Sequence, residues 1–371
     1  MKLVSASNFI LLLCTWAEIN AQTLNLDVVC KLPDALRESS ALWFDRDERV
    51  FYSLNDSDRK NEFHSFDSTG AWIATYPISN ATNIDWEEMT ADDEGTMYIG
   101  DFGNNSNNRQ DLKIYILPHF FDHKDSSIHA EIIRLKYERQ SAFPPPDASK
   151  NFDMEAMIYF NDSLHLFSKN RTTPYTGITY HYTIPALAGD YTLLPRDSFN
   201  TGGANYLQNW VVGAALSPDK KSLILLSYDK MWLFRSFVGS SFLQGNVTQY
   251  KFPFLSQKEG VSFSTNSDIF ISEESVPGAS VNGNLYHAKL DLTSTQEQGE
   301  LKKNIVNTQL ISDNYLRKES LEAEIYNLSG QLIMRIAPHD EVISFTSFPA
   351  GVYFMKENSK FKSKTTLLIK Y

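Results

Sequence analysis

The stretch Asp85-Trp86-Glu87-Glu88-Met89 decides the fold, because its pattern returns along the chain. In this frame a glutamate stands beside small or polar residues, and an apolar strand-like run with a polar end follows. The frame opens four segments, which begin at Glu38, Asp85, Asp153 and Lys258. A fifth segment, Val212 to Ser217, keeps the frame without a carboxylate. A supersecondary unit repeated at intervals of about 40 to 70 residues indicates a radial or solenoid architecture.

The composition around this repeat is typical of β structure. From about residue 25 to 295, short runs rich in Val, Ile, Tyr and Phe alternate with Gly, Asn, Asp, Ser and Pro clusters. We therefore predict an all-β protein with a six-bladed β-propeller over 22–293. Five units are visible, and the sixth blade would use the insertions at 119–150 and 170–206, or an N-terminal strand, Asn25 to Cys30, added to the last blade. Five blades are the alternative.

Charge and the N-terminus predict an exported protein without nucleic-acid partners. The net charge of -11 argues against a phosphate-backbone ligand. Residues 1–21 resemble a signal peptide, with Lys2, an apolar run at 9–14 and a small-residue cleavage site ending at Ala21. Cleavage there would leave Cys30 as the single cysteine, so no internal disulfide is expected. No later run is long enough to predict a transmembrane segment.

The C-terminal part has a different pattern. A polar linker is predicted at 294–304, and a β-sandwich of short strands at 305–371. Ile325 to Ile333, Phe348 to Phe354 and the Lys- and Thr-rich terminus resemble the C-terminal sorting domain of the type IX secretion system of Bacteroidetes. The resemblance implies a small Ig-like sandwich that engages the type IX secretion machinery, and hence a secreted or outer-membrane surface protein.

The recurring carboxylates suggest a cation site on the propeller axis. In a propeller, one residue per blade can face a shared channel, and calcium takes six to eight oxygen ligands. The richest stretch is Asp85 to Asp111. The structural alternative is that Glu87, Glu155 and Glu259 bond neighbouring blades, and that Asp58, Asn104 and Asn105 cap turns.

The order of the motifs resembles secreted bacterial β-propellers that are distantly phytase-like or esterase-like. In the phytase-like branch, calcium on channel carboxylates holds phosphate. The resemblance implies phosphate or carboxylate partners at Arg109, Lys169 and Lys258, and an incomplete ring, because the fourth unit has Gly213 and Ala214 in place of its glutamate. It also implies acidic ligands at Glu38, Asp85, Glu87, Asp101, Asp153, Glu155 and Glu259.

Two functions follow as expectations. The first is a surface or secreted protein of undefined ligand that binds a cation, calcium, in an acidic channel. The second is a calcium-assisted ester or phosphoester hydrolase, with Glu87 or Glu155 as base and Arg109 or Lys169 stabilising negative charge. Neither a Gly-x-Ser-x-Gly elbow nor a His-Glu-x-x-His motif occurs. Residues expected to be structural are His64, His165, His181, Trp72, Trp86, Trp210 and Trp232.

Overall fold

The computed structural model describes residues 21–57, 59–123, 128–203, 205–275, 283–292, 307–311, 314–316, 322–327, 332–338, 342–349, 351–358 and 363–370. Residues 1–20 of the predicted signal peptide, the predicted linker at 294–304 and Asp58 lie outside these ranges. The chain divides into two compact units after Asp291. No helix within the described ranges is long and apolar enough to cross a membrane.

The first unit is built of strands. In chain order these are β1 (Ala21–Thr23), β2 (Asp27–Lys31), β3 (Ser39–Asp45), β4 (Val50–Asn55), β5 (Glu62–Phe66), β6 (Trp72–Pro77), β7 (Trp86–Ala91), β8 (Met97–Asp101), β9 (Lys113–Leu117), β10 (Glu131–Tyr137), β11 (Asp153–Phe160), β12 (Ser163–Lys169), β13 (Ile178–Pro185), β14 (Gly189–Leu193), β15 (Asp197–Asn200), β16 (Gly213–Leu216), β17 (Ser222–Leu226), β18 (Lys230–Arg235), β19 (Asn246–Lys251), β20 (Lys258–Phe263), β21 (Asp268–Glu273) and β22 (Asn284–Lys289). A short helix, α1 (Phe120–His123), and 3-10 turns at Asp147–Ser149, Tyr206–Gln208 and Phe242–Gln244 lie between them.

These strands form five blades around one axis. The sheets have the strand orders β3-β4-β5-β6, β7-β8-β9-β10-β14, β11-β12-β13-β15, β16-β17-β18-β19-β1 and β20-β21-β22-β2, and we number the blades 1 to 5 in that order. Each innermost strand, β3, β7, β11, β16 or β20, contacts the next around the ring. This closed ring is a β-propeller.

The prediction of six blades is wrong, because neither insertion forms a sheet of its own. The first insertion supplies β10, the fourth strand of blade 2. The second supplies β15 to blade 3, and it also supplies β14, which crosses over and pairs in parallel with β10. The predicted N-terminal strand does close the last blade, since β2 pairs antiparallel with β22 and Cys30 lies opposite Leu285.

A β-bulge recurs in the innermost strand of four blades. The ladders to the second strand skip one residue in blades 1, 2, 3 and 5, and the extra residues are Ser40, Glu87, Glu155 and Glu259. In blade 4 the ladder from Gly213 to Leu216 has no skip. A bulge bends its strand and re-aims a side chain. The repeated glutamate of the sequence is therefore the bulge residue of blades 2, 3 and 5.

Apolar side chains between the blades form the core. Trp86 packs in the cluster shared by blades 1 and 2, and Trp232 packs with residues of blades 3 and 4; both are fully buried. The predicted core role of these tryptophans is confirmed, whereas Trp72 is 55% exposed on an outer strand. His165 and His181 are also buried, with Nδ1 of His165 2.9 Å from Nε2 of His181.

The second unit has seven described strands. They are β23 (Asn307–Ile311), β24 (Asn314–Leu316), β25 (Glu322–Asn327), β26 (Leu332–Ile336), β27 (Val342–Ser344), β28 (Gly351–Asn358) and β29 (Ser363–Lys370). They form a five-stranded sheet, β23-β29-β28-β25-β26, and a pair, β24-β27. Ile325 of the sheet and Ile343 of the pair belong to one buried cluster. The unit is all-β, and its identity as an Ig-like sorting domain stays a prediction.

Candidate functional site: an acidic cavity at the channel mouth

The bulged glutamates face one cavity at the mouth of the propeller channel. Glu87, Glu155 and Glu259 line a space of about 210 Å³, and each is at most 6% exposed. The further lining residues are Asp56, Asn105, Lys169, Arg171, Trp210, Tyr228, Gln257 and Glu274. The cavity therefore collects side chains from all five blades.

Three carboxylates converge at one side of this cavity. One oxygen each from Asp56, Asp85 and Glu87 lies within 4.8 Å of the others. Asp56 follows β4, Asp85 precedes β7, and Glu87 is the bulge residue of β7. The two aspartates are close enough for the negative charge of one to disfavour ionisation of the other. Burial and the neighbouring charge of Asp56 raise the pKa of Asp85 to about 8.

Gly103 leaves room for these carboxylates. A Cβ atom at this position would lie 2.2 Å from Oε1 of Glu87 and 2.6 Å from Cγ of Asp85. Neither distance is compatible with an unperturbed side chain, so only glycine permits the close approach of this loop. The loop is held at its base, since the backbone N–H of Gly103 donates to the carbonyl oxygen of Asp85 at 3.2 Å.

Two cationic side chains, the buried Lys169 and the half-buried Arg171, face the carboxylates. Nζ of Lys169 donates to Oε1 of Glu155 at 2.8 Å, and Nε of Arg171 donates to Oδ2 of Asp153 at 2.6 Å. The Arg171 guanidinium also stacks on Trp210, with its Cζ 4.3 Å from the ring centroid. Both bases are thus held in fixed positions.

Burial favours the neutral form of several carboxyl groups here. It raises the pKa of Glu155 to about 7, although Lys169 opposes the shift. It also raises the pKa of Glu274 to about 7, and the negative charge of Asp56 adds to the effect. The pKa values of Glu87 and Glu259 lie well above the usual range, again mainly through burial. In a low-dielectric site, a carboxyl group is either protonated and neutral, or it is ionised and its charge is compensated by a cation.

Glu88 has a structural role beneath the cavity. Its carboxylate accepts the backbone N–H of Met89 and that of Ala214 in blade 4, both at 3.0 Å. Gly213 is required beside it, because a Cβ atom there would lie 2.2 Å from the carbonyl oxygen of Glu259. Close packing against blade 5 therefore accounts for the glycine at this position of blade 4.

Several residues predicted as ligands lie elsewhere. Glu38 pairs with Arg59 at the surface, and Ser40 holds the bulge position of blade 1. Asp101 accepts hydrogen bonds from Arg109 at 2.9 Å and from the backbone N–H of Asp85 at 3.1 Å. It therefore positions one member of the carboxylate triad, which consists of Asp56, Asp85 and Glu87. The structure therefore brings Glu38, Asp101 and Arg109 into positions outside the cavity.

Other predicted residues support the cavity from its walls. Asp153 accepts the backbone N–H of Asn104 at 2.6 Å, and Asn104 in turn accepts that of Arg109 at 2.9 Å, the expected turn-forming role. Lys258 donates to Ser256 Oγ at 2.6 Å and to the carbonyl oxygen of Tyr228 at 3.3 Å. Of the predicted bases, Lys169 alone lines the cavity.

Sequence reasoning missed six lining residues. These are Asp56, Arg171, Trp210, Tyr228, Gln257 and Glu274. Trp210 was expected to be a core residue, but it is half-buried in the cavity wall. Three of them share a signal that would have found them, because Asp56, Tyr228 and Glu274 each lie within two residues of the end of the second strand of a blade. The predicted residue Lys169 has the same position in blade 3. Aligning the ends of the second strands, as well as the starts of the first strands, would have identified these residues as a second set of side chains around the cavity.

Comparison with known proteins adds solved structures at low identity. No protein-family model and no curated protein matches the chain. A PQQ-bound aldose sugar dehydrogenase from Streptomyces coelicolor is 8% identical over 71% of this chain and 97% of its own, with a TM-score of 0.42. A gluconolactonase from Xanthomonas campestris is 9% identical over 72% of this chain and 87% of its own, with a TM-score of 0.37.

PorZ is also similar to the chain. This surface component of the type IX secretion system of Porphyromonas gingivalis is 10% identical over 90% of the chain and 45% of its own length, with a TM-score of 0.33. At these identities and scores the three similarities carry no argument about function.

Proposed function

We propose that the protein is an exported or cell-surface propeller that binds a divalent cation, calcium, at Asp56, Asp85 and Glu87. The convergence of three carboxylates within 4.8 Å supports this most directly. All donors of the triad are oxygens, which suits a hard cation. Gly103 keeps this corner of the cavity open, since a methyl group there would contact two of the three carboxylates.

The charge balance of the cavity supports the same proposal. The carboxyl groups of the cavity and the triad are Asp56, Asp85, Glu87, Glu155, Glu259 and Glu274. The bases that face them are Lys169 and Arg171. Two positive charges cannot balance six carboxylates, so the site holds either protons or added cations. A divalent cation would replace protons and leave the bases with their existing partners.

Calcium titration of the full chain tests the proposal. We expect calcium to raise the unfolding temperature. At a free calcium concentration one hundred times the dissociation constant, binding should add about 2.7 kcal/mol to the free energy of unfolding. Asp56→Asn and Glu87→Gln should abolish the increase. Glu38→Gln is the matched control, because Glu38 lies outside the cavity and pairs with Arg59. Equal stabilisation of wild type and Glu87→Gln would remove the triad as the site.

The second candidate function is ester or phosphoester hydrolysis. Glu155 favours it, because its pKa of about 7 suits a general base and it lies between two bases. Bound calcium would polarise the substrate oxygen. Lys169 and Arg171 would stabilise developing negative charge, and Glu155 would take a proton from water. Arg109 has no part in this scheme, since it is bound to Asp101 outside the cavity.

Turnover separates the two functions. A panel of carboxyl and phosphate esters, assayed with calcium, should show activity that is lost in Glu155→Gln while calcium stabilisation remains. If the protein binds calcium but hydrolyses none of the esters, the cation-binding function is supported and the hydrolase function is rejected.

We also propose that residues 305–371 direct export through the type IX secretion machinery, and that residues 1–21 are a signal peptide. The sequence motifs carry this proposal. Deleting 305–371 in a Bacteroidetes host with this system should retain the protein in the periplasm, as measured by cell fractionation. Surface delivery of the truncated protein would contradict it.

A further inference from the structure

A second cavity lies between blades 2 and 3, apart from the channel mouth. Strand β14 leaves blade 3, pairs in parallel with β10 from Ile133↔Gly189 to Tyr137↔Leu193, and the chain then returns to blade 3 as β15. The cavity between β10, β13 and the end of β14 has a volume of about 390 Å³. This volume falls within the range of small-molecule pockets, about 300 to 1,000 Å³.

Aromatic rings form a large part of its wall. Tyr137, Phe152, Tyr180 and Tyr182 line the cavity. Their rings brace one another, with centroid distances of 5.1 Å for Tyr137 and Phe152 and 5.6 Å for Tyr137 and Tyr182. Tyr180 packs on Tyr182 at 6.3 Å. Such edge-on aromatic contacts fix the ring orientations, so the apolar wall is preformed.

The polar groups of the cavity wall fall into two sets, and those of Asn151 and Thr172 already have partners within the chain. Within the described part of the chain, no hydrogen bond or ion pair engages the hydroxyls of Tyr180 and Tyr182 or the guanidinium of Arg139, all of which belong to lining residues. Arg139 and Tyr182 both line the same cavity. No aspartate or glutamate occurs among the described lining residues. The donors therefore suit an anion.

We propose that this cavity binds a small aromatic or aliphatic carboxylic acid. The apolar part of the ligand packs on Tyr180 and Tyr182, and its carboxylate pairs with Arg139 at the rim. Arginine is well matched to this role, because its planar guanidinium donates two parallel hydrogen bonds to a carboxylate. The site is independent of the calcium triad and goes beyond the function proposed for the channel.

Titration of the full chain with 3-phenylpropionate, followed by ligand-observed NMR, tests the site. We expect binding of the acid and at least about tenfold weaker binding of its neutral isostere, 3-phenylpropionamide, because a charge-assisted hydrogen bond is lost. Arg139→Gln should weaken the acid to the same degree. Arg134→Gln is the control, since Arg134 is an exposed residue of the neighbouring strand β10 that does not line the cavity.

Tyr182→Phe keeps the ring and removes one donor, so a loss of a fewfold is expected for the acid alone. A crystal soaked with the acid locates it, because Lys169 and Arg171 could attract a carboxylate to the channel instead. Density between Arg139 and Tyr182 supports the proposal. Density in the channel alone, equal binding of acid and amide, unchanged binding by Arg139→Gln, or no binding of the acid up to about 10 mM overturns it.

Discussion

Single residues determine whether the triad can form. Gly103→Ala places a methyl group against Glu87 and Asp85, so the carboxylates or the loop must shift. We expect a loss of about 1 to 3 kcal/mol in unfolding free energy from overpacking. We also expect the calcium-induced rise in unfolding temperature to disappear. Denaturant unfolding with and without calcium measures both effects, and an intact calcium response would mean that the triad does not depend on this glycine.

Glu38 was predicted as a ligand because the sequence does not show which residue forms the bulge of blade 1. Counted from the start of each frame, Glu38 corresponds to Asp85, and Ser40, the bulge residue of blade 1, corresponds to Glu87. A bulge adds one residue to the ladder, and the letters alone do not reveal it. Glu87, Glu155 and Glu259 were selected because the glutamate recurs in the sequence at the bulge position of three blades. Asp56 was not selected as a ligand, because its place beside Asp85 depends on contacts between neighbouring blades.

At the scale of the element, β2 is the strand that closes the ring. Cys30 on β2 lies opposite Leu285 of β22, and burial raises the pKa of its thiol to about 11. Thiolate, the reactive form, is therefore scarce while β2 stays in place. The labelling rate of Cys30 should report detachment of this strand.

Leu285→Ala tests this in a Cys14→Ser background. Removing the buried side chain should cost about 2 to 5 kcal/mol and increase the labelling rate of Cys30 in native buffer. Leu225→Ala, at a fully buried position of blade 4, is the matched control. It should cost a similar amount with a smaller change in labelling. Equal acceleration by both substitutions would show that labelling follows global unfolding and not release of β2.

The strand-rich units and the closing strand were predictable, because period-2 patterns and turn residues are local signals. The number of blades was not. Strand β14 is short, and its sequence does not indicate which sheet it joins. In the structure it pairs with β10 of blade 2 instead of joining the sheet of blade 3. Pairing between distant segments depends on tertiary contacts, which override local preference.

At the scale of the whole molecule, the acidic cavity should make stability depend on pH. Buried carboxyl groups with raised pKa values, such as Asp85 at about 8 and Glu155 at about 7, stay protonated in the folded state after the unfolded chain has lost its protons. Their contribution is present below about pH 4 and is lost as the pH rises towards 8.

Without divalent cations, the unfolding temperature should therefore fall between about pH 5 and pH 8, and less so in Asp85→Asn. Calcium should stabilise more at pH 8 than at pH 5, because it competes with fewer protons. Differential scanning calorimetry with EDTA or calcium measures this. A calcium effect that is the same at both pH values would contradict a binding site made of these carboxyl groups.

The pairing of β2 with β22 also sets an order in time. The closing strand spans Asp27–Lys31, and its partner spans Asn284–Lys289, so a strand that leaves the ribosome early pairs with a strand that is made near the end of the propeller. Until Leu285 has been synthesised, β21 has no third strand to pair with, and the ring stays open. A chain that crosses the inner membrane as it is made would thus cross before its propeller can close, which keeps the unfolded form available for translocation.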